Sequence, residues 1–189
     1  WSDVISLRQI LLHWQLREFR DIGSTRCMII GKPEKVLSEQ SIEELLSLIG
    51  DIPSNPAKTR GPTKGGRVTD RVDIHHTWFS DICNELESWV KDGTKVCQFD
   101  LLVYNKGGFF GPHRDLLDRV WSTSTVLQES DDLFGGDLIF MDNWKAPSPS
   151  SKIIDIPVGE TVIFDSQEQY HQVTEVVKGS RIVLVSWLK

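Results

Sequence analysis

The chain has 189 residues, the size of one domain that can bury a sizeable core. Its hydrophobic content of 39% and charged content of 25% are typical of a globular protein, and the net charge of −6 argues against a surface that binds nucleic acid. No stretch is long and apolar enough for a membrane span, so we expect no membrane partner. Three cysteines without zinc-site or thioredoxin-like spacing, and no signal segment, favour a reducing, intracellular location in the cytoplasm or nucleus.

The first half of the chain is predicted to be mainly helical. Apolar residues recur with helical spacing within 1–20 and 74–90, and a third candidate helix runs from the capping residue Ser38 to Gly50. A short strand is expected at 27–30. We therefore interpret residues 1–92 as a helical support within a single domain that spans 1–189.

Residues 51–73 interrupt this helical pattern. Prolines, glycines and basic side chains predict a long loop or a loosely paired hairpin. The basic residues are Lys58, Arg60, Lys64, Arg67 and Arg71. Such a segment is either a solvated flexible loop or a lid that orders over a substrate.

From about residue 93 the hydrophobic period changes from that of a helix to that of a strand. Short segments rich in β-branched and aromatic residues are separated by Gly, Pro, Asp and Ser. They are Cys97–Tyr104, Val120–Leu127, Asp137–Met141, Lys152–Ile156, Thr161–Phe164, His171–Val177 and Arg181–Leu188, with a further strand around His113. About eight strands after three helices indicate an α+β fold, and we predict a double-stranded β-helix (jelly roll) with its catalytic core at 93–189.

His113 and Asp115 are a candidate pair of metal ligands. Residues two apart on a strand point to the same side, so both side chains can face the interior of the barrel. An isolated His-x-Asp pair is weak support for metal binding, because it often lies on the surface at the end of a strand. His171 opens a later strand and could complete the set from the mouth of the second sheet. Two histidines and one carboxylate form the ligand face that holds Fe(II) and leaves coordination positions open.

Arg181 begins the last predicted strand, Arg-Ile-Val-Leu-Val-Ser-Trp. If it points inward, Val183, Val185 and Trp187 also point inward, and the buried charge then needs a partner. A dicarboxylate co-substrate would provide one, whereas an arginine that reaches solvent from the strand end is the plainer alternative. Tyr104 either fills the core or directs its hydroxyl to a bound carboxylate.

Taken in order, the motifs of the second half resemble a known family. They are Tyr104 with Gly107-Gly108, Phe110-Gly-Pro-His113-Arg-Asp115, Gly135-Gly136-Asp-Leu, Tyr170-His171 and Gly179-Ser-Arg181. The segment from about Cys97 to Lys189 resembles the catalytic domain of the prolyl 4-hydroxylase-like Fe(II)/2-oxoglutarate-dependent dioxygenases. The resemblance covers roughly half of the chain, and the first half matches only as helices that support a barrel.

The resemblance implies a role for each of these residues. His113, Asp115 and His171 would hold iron, Arg181 would pair with the distal carboxylate of 2-oxoglutarate, and Tyr104 would bond to the same end. The implied cofactors are Fe(II), 2-oxoglutarate and O2, with ascorbate as a further candidate. Collagen-type relatives have lysine in place of Arg181, whereas oxygen-sensing and many microbial members have arginine. Halogenating relatives lack the carboxylate ligand, so Asp115 favours hydroxylation.

Three functions remain open on the sequence. The favoured one is hydroxylation of a C–H bond in a prolyl or other side chain of a protein or peptide, with release of succinate and CO2. In that case the loop from Ala57 to Arg71 would close over an extended peptide. The first alternative is the same chemistry on a small molecule, such as an amino acid or natural product, or as a demethylation of nucleic acid or protein. A catalytically silent jelly roll that binds a metal is the second.

Overall fold

The structure is a computed structural model that describes residues 31–52, 54–57, 66–116, 118–144 and 147–189. The helix predicted within 1–20 and the strand predicted at 27–30 lie outside these residues, as do residues 58–65 of the predicted loop. Among the residues that are described, no helix has the length and apolar character needed to cross a membrane.

The described residues form two α-helices, a short 3-10 helix at His76–Trp78 and thirteen strands. The helices are α1 (Glu39–Ser47) and α2 (Ser80–Val90). The strands are β1 (Ser54–Pro56), β2 (Arg67–Val68), β3 (Asp70–Val72), β4 (Val96–Tyr104), β5 (Phe109–His113), β6 (Trp121–Glu129), β7 (Phe134–Gly135), β8 (Leu138–Met141), β9 (Lys152–Ile154), β10 (Thr161–Asp165), β11 (Tyr170–Val173), β12 (Val176–Lys178) and β13 (Arg181–Leu188).

The strands form two main antiparallel sheets. One has six strands in the order β1-β3-β4-β13-β6-β10, and the other has five in the order β2-β5-β11-β8-β9. A separate pair joins β7 to β12. The predominantly β-sheet architecture predicted from the change of period is therefore confirmed.

The six-stranded sheet is covered by helices on one face and lines a cavity with the other. Along β4 and β13, alternate residues such as Leu101 and Leu184 pack against Leu45 of α1 and Leu86 of α2. The helix α1 begins at Ser38, whose side chain accepts a hydrogen bond from the backbone N–H of Ser41. The helices thus hold the rear of the sheet whose front carries the cavity.

Three predicted boundaries differ in the structure. The helix predicted at 74–90 begins only at Ser80, after a 3-10 helix capped by His75. The strand predicted at 171–177 is divided into β11, which pairs with β5 and β8, and β12, which pairs with β7. The described parts of the predicted loop 51–73 contain three short strands: β1 and β3 extend the six-stranded sheet, and β2 extends the five-stranded sheet.

Candidate active site

A cavity lies between the two main sheets, and all five residues predicted for the site line it. They are Tyr104, His113, Asp115, His171 and Arg181. The predicted inward alternation along the last strand is confirmed, since Val183, Val185 and Trp187 line the same cavity.

His113 and His171 are direct neighbours across two adjacent strands. They are register partners in the β5–β11 pair, with ring centroids 4.2 Å apart. The expectation that His171 would come from a second sheet is therefore wrong. Antiparallel pairing places both imidazoles on one sheet, because it brings residues far apart in sequence side by side.

Each imidazole is held by a backbone carbonyl. Nδ1 of His113 lies 2.8 Å from the oxygen of Gly111, and Nδ1 of His171 lies 3.1 Å from the oxygen of Gln169. A carbonyl only accepts hydrogen bonds, so each neutral ring carries its proton on Nδ1. Burial, and then repulsion from His171, lowers the pKa of His113, which keeps that ring neutral. Both Nε2 atoms are thereby left as acceptors or metal ligands.

Asp115 completes the group from just beyond the end of β5, not from within the strand as predicted. Its two oxygens lie 3.9 Å from Nε2 of His113 and 3.9 Å from Nε2 of His171. Burial raises the pKa of Asp115, but the two histidines and a hydrogen bond from Ser122 outweigh this effect, and the pKa lies below its usual value. The carboxylate is therefore charged.

Two further side chains hold Asp115 in place. The hydroxyl of Ser122 donates to Oδ2 at 2.5 Å and lies 2.7 Å from the hydroxyl of Ser166. Nη1 of Arg119 lies 3.9 Å from Oδ1 of Asp115. The guanidinium of Arg119 also stacks 3.8 Å above the ring of Trp187 and donates to the side chain of Gln98 at 2.8 Å. Outer contacts of this kind fix the orientation of a metal ligand.

The three side chains fit a divalent metal. Their ligand atoms all lie within 4.8 Å of one another. The set offers two neutral nitrogens and one anionic oxygen on one face, which is the donor set of non-haem Fe(II) sites. Asp115 would offset part of the metal charge, and the open side of the group faces the cavity.

Arg181 and Tyr104 lie together at the other end of the cavity. They are register partners on β13 and β4, and their exposed fractions are only 7% and 2%. Nη1 of Arg181 donates to the carbonyl of Gly136 at 2.6 Å, and Nε lies 3.1 Å from a carboxylate oxygen of Glu129. Burial raises the pKa of Tyr104 to about 12, so its phenol is protonated and can donate a hydrogen bond.

The Gly135-Gly136 motif, which is weak as a sequence signal, has a structural reason. Gly135 has φ of +81°, and a Cβ atom there would collide with the carbonyl oxygen of Glu175. Gly136 also has a positive φ, of +76°. These conformations direct the carbonyl of Gly136 to Arg181.

Several residues of the site were not predicted individually. Ser122 lies within the predicted strand Val120–Leu127, Arg119 and Glu129 lie outside the predicted strands, and no motif marked any of them. Arg67 was grouped with the loop bases, yet it lines the cavity. Alternation along a strand could have indicated that Arg67 points inward. The strand β2 has only two residues, which are too few to show such a pattern.

Comparison with known proteins agrees with this geometry. Residues 99–189 match the family model of the 2OG-Fe(II) oxygenase superfamily. A "PKHD-type hydroxylase" of Shewanella frigidimarina is 22% identical over 178 residues, covering 82% of this chain and 76% of that protein.

Two solved structures show the same fold. One is a prolyl hydroxylase from Trichoplax adhaerens in complex with a hypoxia inducible factor peptide, with TM-score 0.62, 15% identity and coverage of 87% of this chain and 84% of that chain. The other is HygX from Streptomyces hygroscopicus with nickel, 2-oxoglutarate and hygromycin B bound, with TM-score 0.59, 10% identity and coverage of 97% and 87%.

The fold and the paired histidines with their carboxylate define a non-haem iron oxygenase. Residues 99–189 thus match the 2OG-Fe(II) oxygenase superfamily, and the protein is a 2-oxoglutarate/Fe(II)-dependent dioxygenase with hydroxylase-type chemistry. Its cofactors are Fe(II) and 2-oxoglutarate, with O2 as the oxidant. The interpretation as a catalytically silent module is thereby set aside.

Proposed function

We propose that this enzyme hydroxylates a C–H bond in a prolyl or other side chain of a protein or peptide. In this proposal His113, Asp115 and His171 hold the iron, and Arg181 and Tyr104 bind the distal carboxylate of 2-oxoglutarate. We also propose that the two main sheets form a double-stranded β-helix. The observation that carries the proposal is the convergence of these five side chains in one cavity.

The residues divide the work between the two ends of the cavity. At one end the carbonyls of Gly111 and Gln169 fix the imidazole tautomers, so that both Nε2 lone pairs point to one place. At the other end the guanidinium of Arg181 and the phenol of Tyr104 supply donors for a carboxylate. Between them, apolar side chains such as Leu102, Leu138 and Val183 exclude water. Bound iron and 2-oxoglutarate supply the oxidising chemistry that places one oxygen atom of O2 in the C–H bond.

One comparison supports a peptide as the substrate. The prolyl hydroxylase from Trichoplax adhaerens was solved with a peptide fragment bound, whereas the name of the Shewanella relative indicates hydroxylation and names no substrate. The strands β1 and β2 lie before and after residues 58–65 and are edge strands of the two main sheets, and Arg67 of β2 lines the cavity. This position supports the proposal that the segment from Ala57 to Arg71 lies over an extended substrate.

A small-molecule substrate is the second candidate. It is favoured by the structural neighbour whose complex contains hygromycin B. Both candidates share the iron site and the co-substrate site, so they differ only in what enters the mouth of the cavity.

The test is succinate formation combined with mass spectrometry. Proline-containing peptides and a panel of amino acids and natural products are incubated with enzyme, Fe(II), 2-oxoglutarate and O2. The expected result is a product heavier by one oxygen atom, formed in step with succinate and abolished in Asp115→Ala. Thr125→Val is the control, because Thr125 is a buried residue of β6 that bonds to Thr161 and does not line the cavity. Oxidised product in the Asp115→Ala protein, or none with any peptide, would contradict the proposal.

A further inference from the structure

Arg67 is a second arginine inside the cavity. It lies on β2 and is the register partner of Phe110 on β5. Its guanidinium carbon lies 4.6 Å from the centroid of the Phe110 ring, and that ring stacks on His113 with centroids 3.6 Å apart. The side chain of Arg67 is only 7% exposed. One aromatic ring therefore separates this cation from a candidate metal ligand.

The charge of Arg67 is only weakly compensated by the protein. The carboxylate of Asp100 lies 4.0 Å from Nη1 of Arg67. The carboxylate of Asp100 also has two other partners. Nη1 of Arg71 lies 3.7 Å from its Oδ1, and the side-chain amide of Gln98 donates to the same oxygen at 3.1 Å. In addition, Nε of Arg67 is buried without a hydrogen-bond partner. A buried N–H without an acceptor costs free energy, so this group is suited to an incoming ligand oxygen.

The charge of Arg181, in contrast, is offset at close range, although its Nε is also buried without a hydrogen-bond partner. One of its nitrogens donates to Gly136, and Glu129 lies close enough to offset its charge. A carboxylate that meets only the Arg181–Glu129 pair would meet little net positive charge. Binding the distal end of a dianion such as 2-oxoglutarate is therefore favoured by another cation nearby.

Tyr104 connects the two arginines. It is the register partner of Arg181 and lines the same cavity as Arg67, and the charges of both arginines act to lower the pKa that burial raises. An arginine only donates hydrogen bonds, so a guanidinium beside the phenol meets its oxygen and leaves its O–H to donate elsewhere. Arg67 thereby orients the hydroxyl of Tyr104 as a donor to a carboxylate in the cavity.

We propose that Arg67 is an additional co-substrate-binding residue, which contacts the distal carboxylate of 2-oxoglutarate together with Arg181 and Tyr104. The proposal rests on the assignment of Arg181 and Tyr104 made above. Arg67 supplies the net positive charge that Glu129 removes from Arg181, and it holds the phenol in its donor orientation.

The test compares Arg67→Gln with Arg71→Gln. Arg71 is the matched control, since it contacts the same Asp100 from the same segment but does not line the cavity. Three ligands are titrated by calorimetry: Mn(II) alone, Mn(II) with N-oxalylglycine, and Mn(II) with oxalate. Oxalate chelates the metal but has no distal carboxylate, so it reports on the metal end alone.

The expected result is a loss of N-oxalylglycine affinity of about tenfold or more in Arg67→Gln, with oxalate and Mn(II) affinities unchanged. Arg71→Gln should bind all three ligands like the parent protein. Arg67→Lys, which keeps the charge but not the planar fork, should fall between. In turnover, Arg67→Gln should raise the KM for 2-oxoglutarate more than it lowers kcat.

Unchanged N-oxalylglycine affinity in Arg67→Gln would overturn the proposal. It would indicate instead that Arg67 contacts the primary substrate. Equal losses of oxalate and N-oxalylglycine would also overturn it, since the effect would then lie at the metal. Failure of the parent protein to bind Mn(II) with N-oxalylglycine would instead contradict the proposed function itself.

Discussion

The hydroxyl of Ser122 provides a direct test of how the protein holds its carboxylate ligand. This side chain is fully buried, and its hydroxyl donates to Asp115 at 2.5 Å. Ser122→Ala removes that charge-assisted hydrogen bond and leaves the hydroxyl of Ser166 without its partner. A hydrogen bond to a charged group contributes about 1.5–3 kcal/mol, so the metal-free protein should lose stability of this order.

The same change should weaken metal binding. Removal of a hydrogen bond that orients a metal ligand lowers affinity by about 10–100-fold. Calorimetric titration of Mn(II) into the metal-free protein measures this loss directly. Thr125→Val removes another buried hydroxyl from the same strand, one that bonds to Thr161 at 2.8 Å. It should reduce stability but leave Mn(II) affinity unchanged. If Ser122→Ala binds Mn(II) as tightly as the parent, Asp115 does not depend on this support and the reasoning is wrong.

Two other changes test the frame of the cavity. Leu45→Ala should lower the free energy of unfolding by about 2–5 kcal/mol in urea, because Leu45 is fully buried beneath the six-stranded sheet; unchanged stability would contradict this packing. Gly135→Ala should weaken N-oxalylglycine binding. The new Cβ atom would collide with the carbonyl oxygen of Glu175 and so displace the carbonyl of Gly136, to which Arg181 donates. Gly159→Ala is the control, because Gly159 has a similar φ of +84° but a Cβ atom there would make only an ordinary contact with Ile42. Equal losses of N-oxalylglycine affinity in Gly135→Ala and Gly159→Ala would contradict the argument.

The sequence was sufficient to predict the β-rich second half and the inward side of β13. These features are local, because alternation along one strand fixes which residues share a face. It also indicated His113, Asp115, His171 and Arg181 as a set, through the order of motifs. The division of 1–92 and 93–189 into support and core stays a prediction.

What the sequence could not show depends on pairing between distant segments. His171 was expected on a second sheet, yet it pairs directly with His113, although the two residues are far apart in the sequence. Likewise Arg67 reaches the cavity only because β2 pairs with β5. Register between strands is set by the packing of the whole sandwich, which a single segment does not reveal.

The inner face of the six-stranded sheet changes character along its length in a way that matches 2-oxoglutarate. One end of this face is polar, because Ser122 and Trp187 contact Asp115 there. The other end is also polar, because it carries Arg181 and Tyr104. Between these ends the lining is mainly apolar, with Leu102, Val183 and Val185, although Ser124 and Asp100 are the cross-strand partners of Val185. A ligand with a chelating head, a short hydrocarbon chain and a distal carboxylate has the same polar-apolar-polar order. A monocarboxylate of the same length would leave the polar end unpaired, and buried polar groups without partners are costly. We therefore expect the order of residues along β13 and β4 to favour a dicarboxylate over a monocarboxylate without a mobile lid.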